Sequence, residues 1–240
     1  MTDKCKILCS FILSLGVALG GFFPGYYYYR SKADANYVTV KGLAEMNVKA
    51  DLGVWDIKYI VTGNDLAKSQ SKMTEQQNLI ILFLKKLGFE DNEIMVQRTE
   101  TNDLMANPYR SDSQNSFRYI LTQTIQVKST NVDLVEKAVN STGSLISQGI
   151  VFDNNSYMPV SYIFTKINEI KPQMLEAATK NAMAAANEFA KSSNTKVGKI
   201  RKANQGVFSI LPREQTANAS EMNRIEKKVR VVSTIEYYLD

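Results

Sequence analysis

Hydrophobic and polar positions along the chain follow three rhythms. Residues 7–29 form a run of 23 without a charged side chain, with Lys4 and Lys6 before it and Arg30 and Lys32 after it. As a helix this run would be roughly 35 Å long, enough to cross a hydrocarbon core of about 30 Å. Residues 54–62 alternate: Trp55, Ile57, Tyr59 and Val61 share one face, with Asp56 and Lys58 on the other. That is the period of a strand with one wet face. Leu66, Met73, Ile80, Leu84 and Leu87 then keep three- and four-residue spacings, which predicts a helix opened by Asn64 or Asp65 and closed by Gly88. Lys85 and Lys86 suit its C-terminal dipole.

The same unit returns twice. Before the first helix, Val38 and Val40 open a short strand ending near Gly42, and a strand over 94–100 follows that helix. Phe117, Tyr119, Leu121, Ile125 and Val127 lie on one face of a long strand. Thr130-Asn131-Val132-Asp133 resembles a capping box with Asp in place of Glu, opening a short helix through Val135 and Val139 to Gly143. Strands over 150–152 and 160–164 frame a third pass. A long helix over 168–193 follows, with Pro172 in its first turn and Ala178, Ala182, Ala186 and Ala190 among its small residues. Such residues permit close approach, either to a neighbour inside the domain or to a second molecule; packing inside the domain is the favoured reading. Strands over 197–207 and 229–239 close the chain, while 101–116 and 209–227 are polar, aperiodic and expected to be mobile loops.

This order predicts an α+β fold: a mixed, largely antiparallel sheet built from recurring β-α-β units with helices packed on one face, after an N-terminal transmembrane helix. Residues 1–35 are the expected anchor and linker, and 36–240 the body. An uncleaved anchor is favoured over a signal peptide. The apolar run is long for a signal core, and the A-x-A-like triplet Ala33-Asp34-Ala35 lies far beyond it. Tyr26 to Tyr29 suit a headgroup interface. Flanking charges nearly balance, and a single N-terminal anchor usually translocates the body behind it. The expectation is an inner-membrane anchor with an extracytoplasmic, periplasmic body.

Composition narrows the chemistry. The chain has no histidine, and its two cysteines, Cys5 and Cys9, lie in or beside the apolar run. The body therefore has no Ser-His-Asp or Cys-His nucleophile, no Cys/His zinc site and no internal disulfide. No phosphate loop, EF-hand or nucleophile elbow is present. From Arg30 onward the formal charge is +4 (27 basic, 23 acidic). Lys196, Lys199, Arg201 and Lys202 form the densest basic group. It reads either as a patch for anionic lipid or nucleic acid or as a solvated strand face; without interleaved aromatics the solvated face is favoured. Sequons begin at Asn140, Asn154 and Asn218, and Asn140 falls in a predicted helix.

The ordered motifs resemble the SIMPL-domain family of bacterial cell-envelope proteins. Val38-Thr39-Val40-Lys41-Gly42-Leu43-Ala44-Glu45 is similar to its V-x-V-x-G-x-G/A-E opening, and Asp51 fits a Pro-Asp pair in which Ala50 replaces the proline. Leu87-Gly88-Phe89 with Asp91 and Ile94, Gly149-Ile150-Val151-Phe152, and the alanine-rich helix follow in the family's order. Asn194 stands where a helix-ending glycine is usual. The resemblance implies envelope location, a tendency to self-associate and, in some members, a link to envelope or oxidative stress. It supplies no active-site residues.

The expectation is a membrane-anchored envelope protein that acts by binding or self-assembly and is not an enzyme. No catalytic, cofactor or metal residue is assigned, and no nucleic-acid partner. The partners are the membrane, through residues 7–29, and further copies of the chain. The alternative is an extracytoplasmic ligand or peptide sensor using an exposed strand edge. Under a carboxylate/lysine enzyme, Glu45, Asp51 and Asp153 are the acids to consider, against a plainer role as turn and strand-end residues.

Overall fold

A computed structural model describes residues 3–33, 36–106, 117–153, 160–214, 216 and 220–240, with the backbone alone for 3–9 and 30–33. Asn107-Pro108, most of the loop around it, and the sequons at Asn154 and Asn218 lie outside the described residues. Helix α1 (Asp3–Ala33) carries the apolar run, and Ser10–Tyr29 is long and apolar enough to cross a membrane. None of that span is buried against the rest of the protein. The body is α+β and forms two compact units, each assembled from separate stretches of chain.

Unit 2 comprises residues 46–170 and 209–229. Its sheet is centred on β2 (Leu52–Gly63) and β5 (Tyr119–Ser129), antiparallel over their full length with Tyr59 opposite Gln123. On the far side of β5 lie β3 (Ile94–Val96) and β4 (Glu100–Asp103); on the far side of β2 lie β6 (Val151–Phe152) and β7 (Val160–Ile163). All four are antiparallel to the strand they flank. It follows that β3 runs parallel to β2 with β5 between them, and β6 parallel to β5 with β2 between them. These are two interleaved split β-α-β units, the recurrence expected from the pattern. One crossover is α2 (Leu66–Leu87); the other is α3 (Val132–Asn140) with α4 (Gly143–Ser147).

The single strand expected over 94–100 is two strands. Val96 pairs with Ile125 and Glu100 with Thr122, so four steps on one side match three on the other. The extra residue breaks the ladder as a bulge does. Asp65 caps α2 by accepting from the Lys68 N–H at 3.0 Å, and Gly88 ends it at φ 109°. The cap of α3 is Asn131, whose side chain accepts from the Leu134 N–H. The expected Thr130 box is displaced by one residue, since an Asx oxygen reaches the third following N–H as well as a hydroxyl does. Trp55, Ile57, Tyr59 and Val61 are buried with Met73, Ile80, Leu84, Leu121, Ile125, Val127 and Val135 in one core.

Unit 1 comprises residues 1–45, 171–208 and 230–240. Strand β10 (Glu226–Leu239), whose first residues belong to unit 2 together with its partner β9 (Ser209–Pro212), is hydrogen-bonded between β1 (Tyr37–Lys49) and β8 (Val197–Gln205). Helix α5 (Ile167–Ser192) buries Ala178, Ala182, Ala186 and Ala190. Ala182 and Ala186 share a small core with Val40, Ile235 and Tyr237. The strand opened by Val38 runs well past Gly42. That glycine sits mid-strand beneath α5, where an added Cβ would stand 1.8 Å from the Ala178 carbonyl oxygen. It is a contact point, not a strand end. The alanine stripe is thus packing within the unit.

The described residues of 209–227 carry regular structure where a loop was expected. They hold β9, a 3-10 turn at Glu221–Asn223 and the start of β10. Lys227 is fully buried; its ammonium donates to the Glu221 carboxylate at 2.7 Å and to the Glu221 backbone carbonyl.

Candidate functional site

The three acids considered from the sequence have local partners. Asp51 accepts from the Thr165 and Lys166 N–H groups at 2.8 and 3.2 Å, holding the turn before α5. Asp153 pairs with Lys58 at 2.8 Å, and its own N–H donates to the Lys58 carbonyl. Asp51 precedes the first residue of β2 while Asp153 sits at Lys58, seven residues on, so they stand roughly 23 Å apart along the strand. Glu45, in unit 1, lies 3.8 Å from Arg230. The structure does not bring Asp51 and Asp153 together, and acid–base chemistry needs groups within reach of one substrate atom. Among the described residues, no group of three or more Cys, Asp or Glu side chains is gathered closely enough to hold a metal ion.

Two other features are concave or open. The first is a charged cleft of about 390 Å³ in unit 2, lined by Lys49, Asp133, Glu136, Arg213, Arg224 and Glu226 among others. Lys49 reaches both Asp133 oxygens, at 2.6 and 2.8 Å. That hydrogen bond raises the lysine pKa above its ordinary value, against the opposing effect of desolvation and with help from the Asp133 charge. A lysine held charged is a poor nucleophile, because covalent lysine chemistry needs the neutral amine. The cleft therefore offers charge recognition. The sequence did not reveal it, because 84 positions separate Lys49 from Asp133.

The second is the outer edge of β8. Among the described residues it pairs with β10 on one side only, and from Lys199 to Gln205 every residue is exposed. Beside it, Leu175, Met183, Ala184, Ile200 and Tyr237 contribute to an open groove of about 690 Å³. Ile200 and Met183 are 51% and 41% exposed, so replacing them leaves the core intact. The edge also carries cations: Arg201 pairs with Glu236 at 2.8 Å and stacks over Tyr37, 4.1 Å from the ring centroid. The aromatic partner missing from the β8 sequence comes from β1, two strands away.

A known family model spans nearly all of the body. The description "SIMPL: Protein of unknown function (DUF541)" matches residues 38–237. The chain belongs to the SIMPL family. The SIMPL match takes in β1 through most of β10, and so draws on both units. A search among curated proteins returned no match.

Proposed function

We propose that this SIMPL protein is a membrane-anchored component of the cell envelope that works by binding, with self-association through the β8 edge as its mode of action. The observation that carries the reading is a nine-residue strand edge, unpaired among the described residues, beside an apolar groove and in the unit that also contains the apolar helix α1. An open strand edge offers a row of backbone donors and acceptors, and proteins pair, cover or charge such edges. Here charge and apolar surface stand side by side, so edge pairing is controlled without being abolished. Anchoring raises the local concentration of copies in the plane of the bilayer, which favours a weak homotypic contact. The chemistry of the body supports a non-enzymatic role, since Asp133 holds Lys49 charged and leaves the cleft suited to charge recognition and not to covalent lysine chemistry. The periplasmic side and a connection to envelope stress belong to the same proposal and rest on the family resemblance.

Sedimentation of the full chain in mild detergent tests the reading. A discrete oligomer is expected, and Ile200→Glu together with Met183→Glu should dissolve it into a folded monomer with the parent's far-UV circular dichroism, its melting temperature lower only by what the lost association contributed. A monomer at every concentration would overturn self-association and favour the alternative of a ligand or peptide sensor. The anchor is tested separately: the full chain should resist carbonate extraction from membranes, and a chain begun at Asn36 should not.

A further inference from the structure

The basic cluster on β8 has a place relative to the anchor that its sequence position hides. The Leu239 N–H donates to the Asn36 carbonyl at 3.0 Å, and Lys196 and Asp240 exchange backbone hydrogen bonds at 3.0 and 2.9 Å. Val197 pairs with Leu239 in the β8–β10 ladder. Lys196 therefore stands two strand spacings, roughly 10 Å, from Asn36, at the end of the sheet where the chain arrives from α1. From there the cations climb β8: Lys199, Arg201 and Lys202, all exposed. Of the acids in unit 1, Glu236 is engaged by Arg201, Asp240 exchanges backbone hydrogen bonds with Lys196, and Glu188 lies in the last turns of α5, which lead to Lys196.

Chain length confines this end. The apolar span ends at Tyr29 and α1 continues to Ala33. Four helical residues and three extended ones reach about 17 Å at most. Headgroups occupy the first several ångströms of that distance, leaving Asn36 within about a Debye length of the lipid surface. The charge is distributed to match. The parts of unit 1 after the anchor (36–45, 171–208, 230–240) hold nine Lys/Arg and five Asp/Glu, net +4, whereas unit 2 holds 16 and 17, net −1.

We infer that the Lys196–Lys202 end of the unit 1 sheet rests on anionic lipid headgroups of the bilayer that holds α1. The inference depends on the membrane anchor proposed above. Clustered cations beside a span are attracted to anionic lipid and fall under salt control. The Tyr37 ring beneath Arg201 holds that guanidinium in place on the same end of the sheet.

The test uses the full chain in nanodiscs of phosphatidylcholine alone or with about a third phosphatidylglycerol. Lysine acetylation by an activated acetate ester is followed by peptide mass spectrometry. Labelling of Lys196, Lys199 and Lys202 should slow several-fold in the anionic discs, and high salt should restore it. Exposed Lys72 and Lys137 of unit 2 serve as references and should change less. Lys199→Gln with Lys202→Gln, both at exposed positions, should reduce the protection left at Lys196. Equal rates in both discs, protection already complete in neutral discs, or protection confined to unit 2 would each overturn the contact. A chain that stays with the discs yet labels equally refutes the contact alone. One that does not stay with the discs refutes the anchor and the contact together.

Discussion

Replacing Gly42 with alanine separates packing from propensity, because the two demand opposite signs. In the middle of β1 a glycine forms strand less readily than an alanine does. Adding one methyl group should stabilise the chain by about 0.5–1 kcal/mol if only backbone entropy counted. The structure says otherwise. A Cβ at this position would stand 1.8 Å from the Ala178 carbonyl oxygen, 2.7 Å from the Ala182 nitrogen and 2.8 Å from the Ala182 Cβ. Cβ atoms essentially never approach closer than 3.0 Å, so α5 must lift by at least 1.2 Å (3.0 − 1.8). Two of the three obstacles are helix backbone and cannot turn aside as a side chain would. Lifting also loosens Ala182 and Ala186 from Val40, Ile235 and Tyr237. Overpacking usually costs about 1–3 kcal/mol, and a backbone clash belongs at or above the top of that range. A loss of about 3 kcal/mol in a body of this size should lower the melting temperature by about 6–12 °C, and by more if unit 1 melts separately. Thermal melts of the full chain in mild detergent, followed by far-UV circular dichroism, provide the measurement. Thr39→Ala, exposed at the opposite face of β1, is the control. A Gly42→Ala chain that melts within about 2 °C of the parent would refute the reasoning, since the helix would then be free to move.

Three further outcomes are expected. Lys227→Ala should cost about 2–3 kcal/mol in denaturant unfolding, less than a fully buried pair, because Glu221 remains 32% exposed and can rehydrate; a change below about 0.5 kcal/mol would show that the contact with Glu221 contributes little. Burial first, and then the Glu136 and Asp133 charges, push the Tyr162 phenol up to about 12. The folded form thus keeps a proton that the unfolded chain releases near pH 10. The Tyr162 contribution is complete below pH 10 and is lost as pH rises towards 12. Melts at pH 9 and pH 11 should therefore diverge less for Tyr162→Phe than for the parent, and equal divergence would contradict the assignment. Finally, a chain begun at Asn36 has no cysteine, so its unfolding midpoint should be the same with and without reductant.

What the sequence determined by itself was everything that a local period can encode. The uncharged run 7–29 can be a bilayer-spanning helix whatever follows it. The alternation of Trp55, Ile57, Tyr59 and Val61 put those four side chains into a core because a strand has only two faces, and Gly88 ended α2 because few other residues adopt its positive φ. The strand-helix-strand recurrence announced β-α-β units, and the sheet order showed that they are split and interleaved. Which strands flank which, and that β3 and β4 are separate, depended on register along β5, set by contacts between distant stretches of chain. The role of the alanines was likewise undecided locally, since a small face suits a partner molecule and a neighbouring strand equally well. Gly42 settled it by admitting α5 to the sheet. Lys227 looked like part of a polar loop because burial of a cation depends on Glu221 folding back to meet it, which no periodicity records. The basic residues of β8 were plain in the sequence, but their nearness to Asn36, just before β1, was not. Hydrogen bonds from Leu239 to Asn36 and between Asp240 and Lys196 close a gap of about 160 residues, and only the tertiary fold sets a distance of that kind.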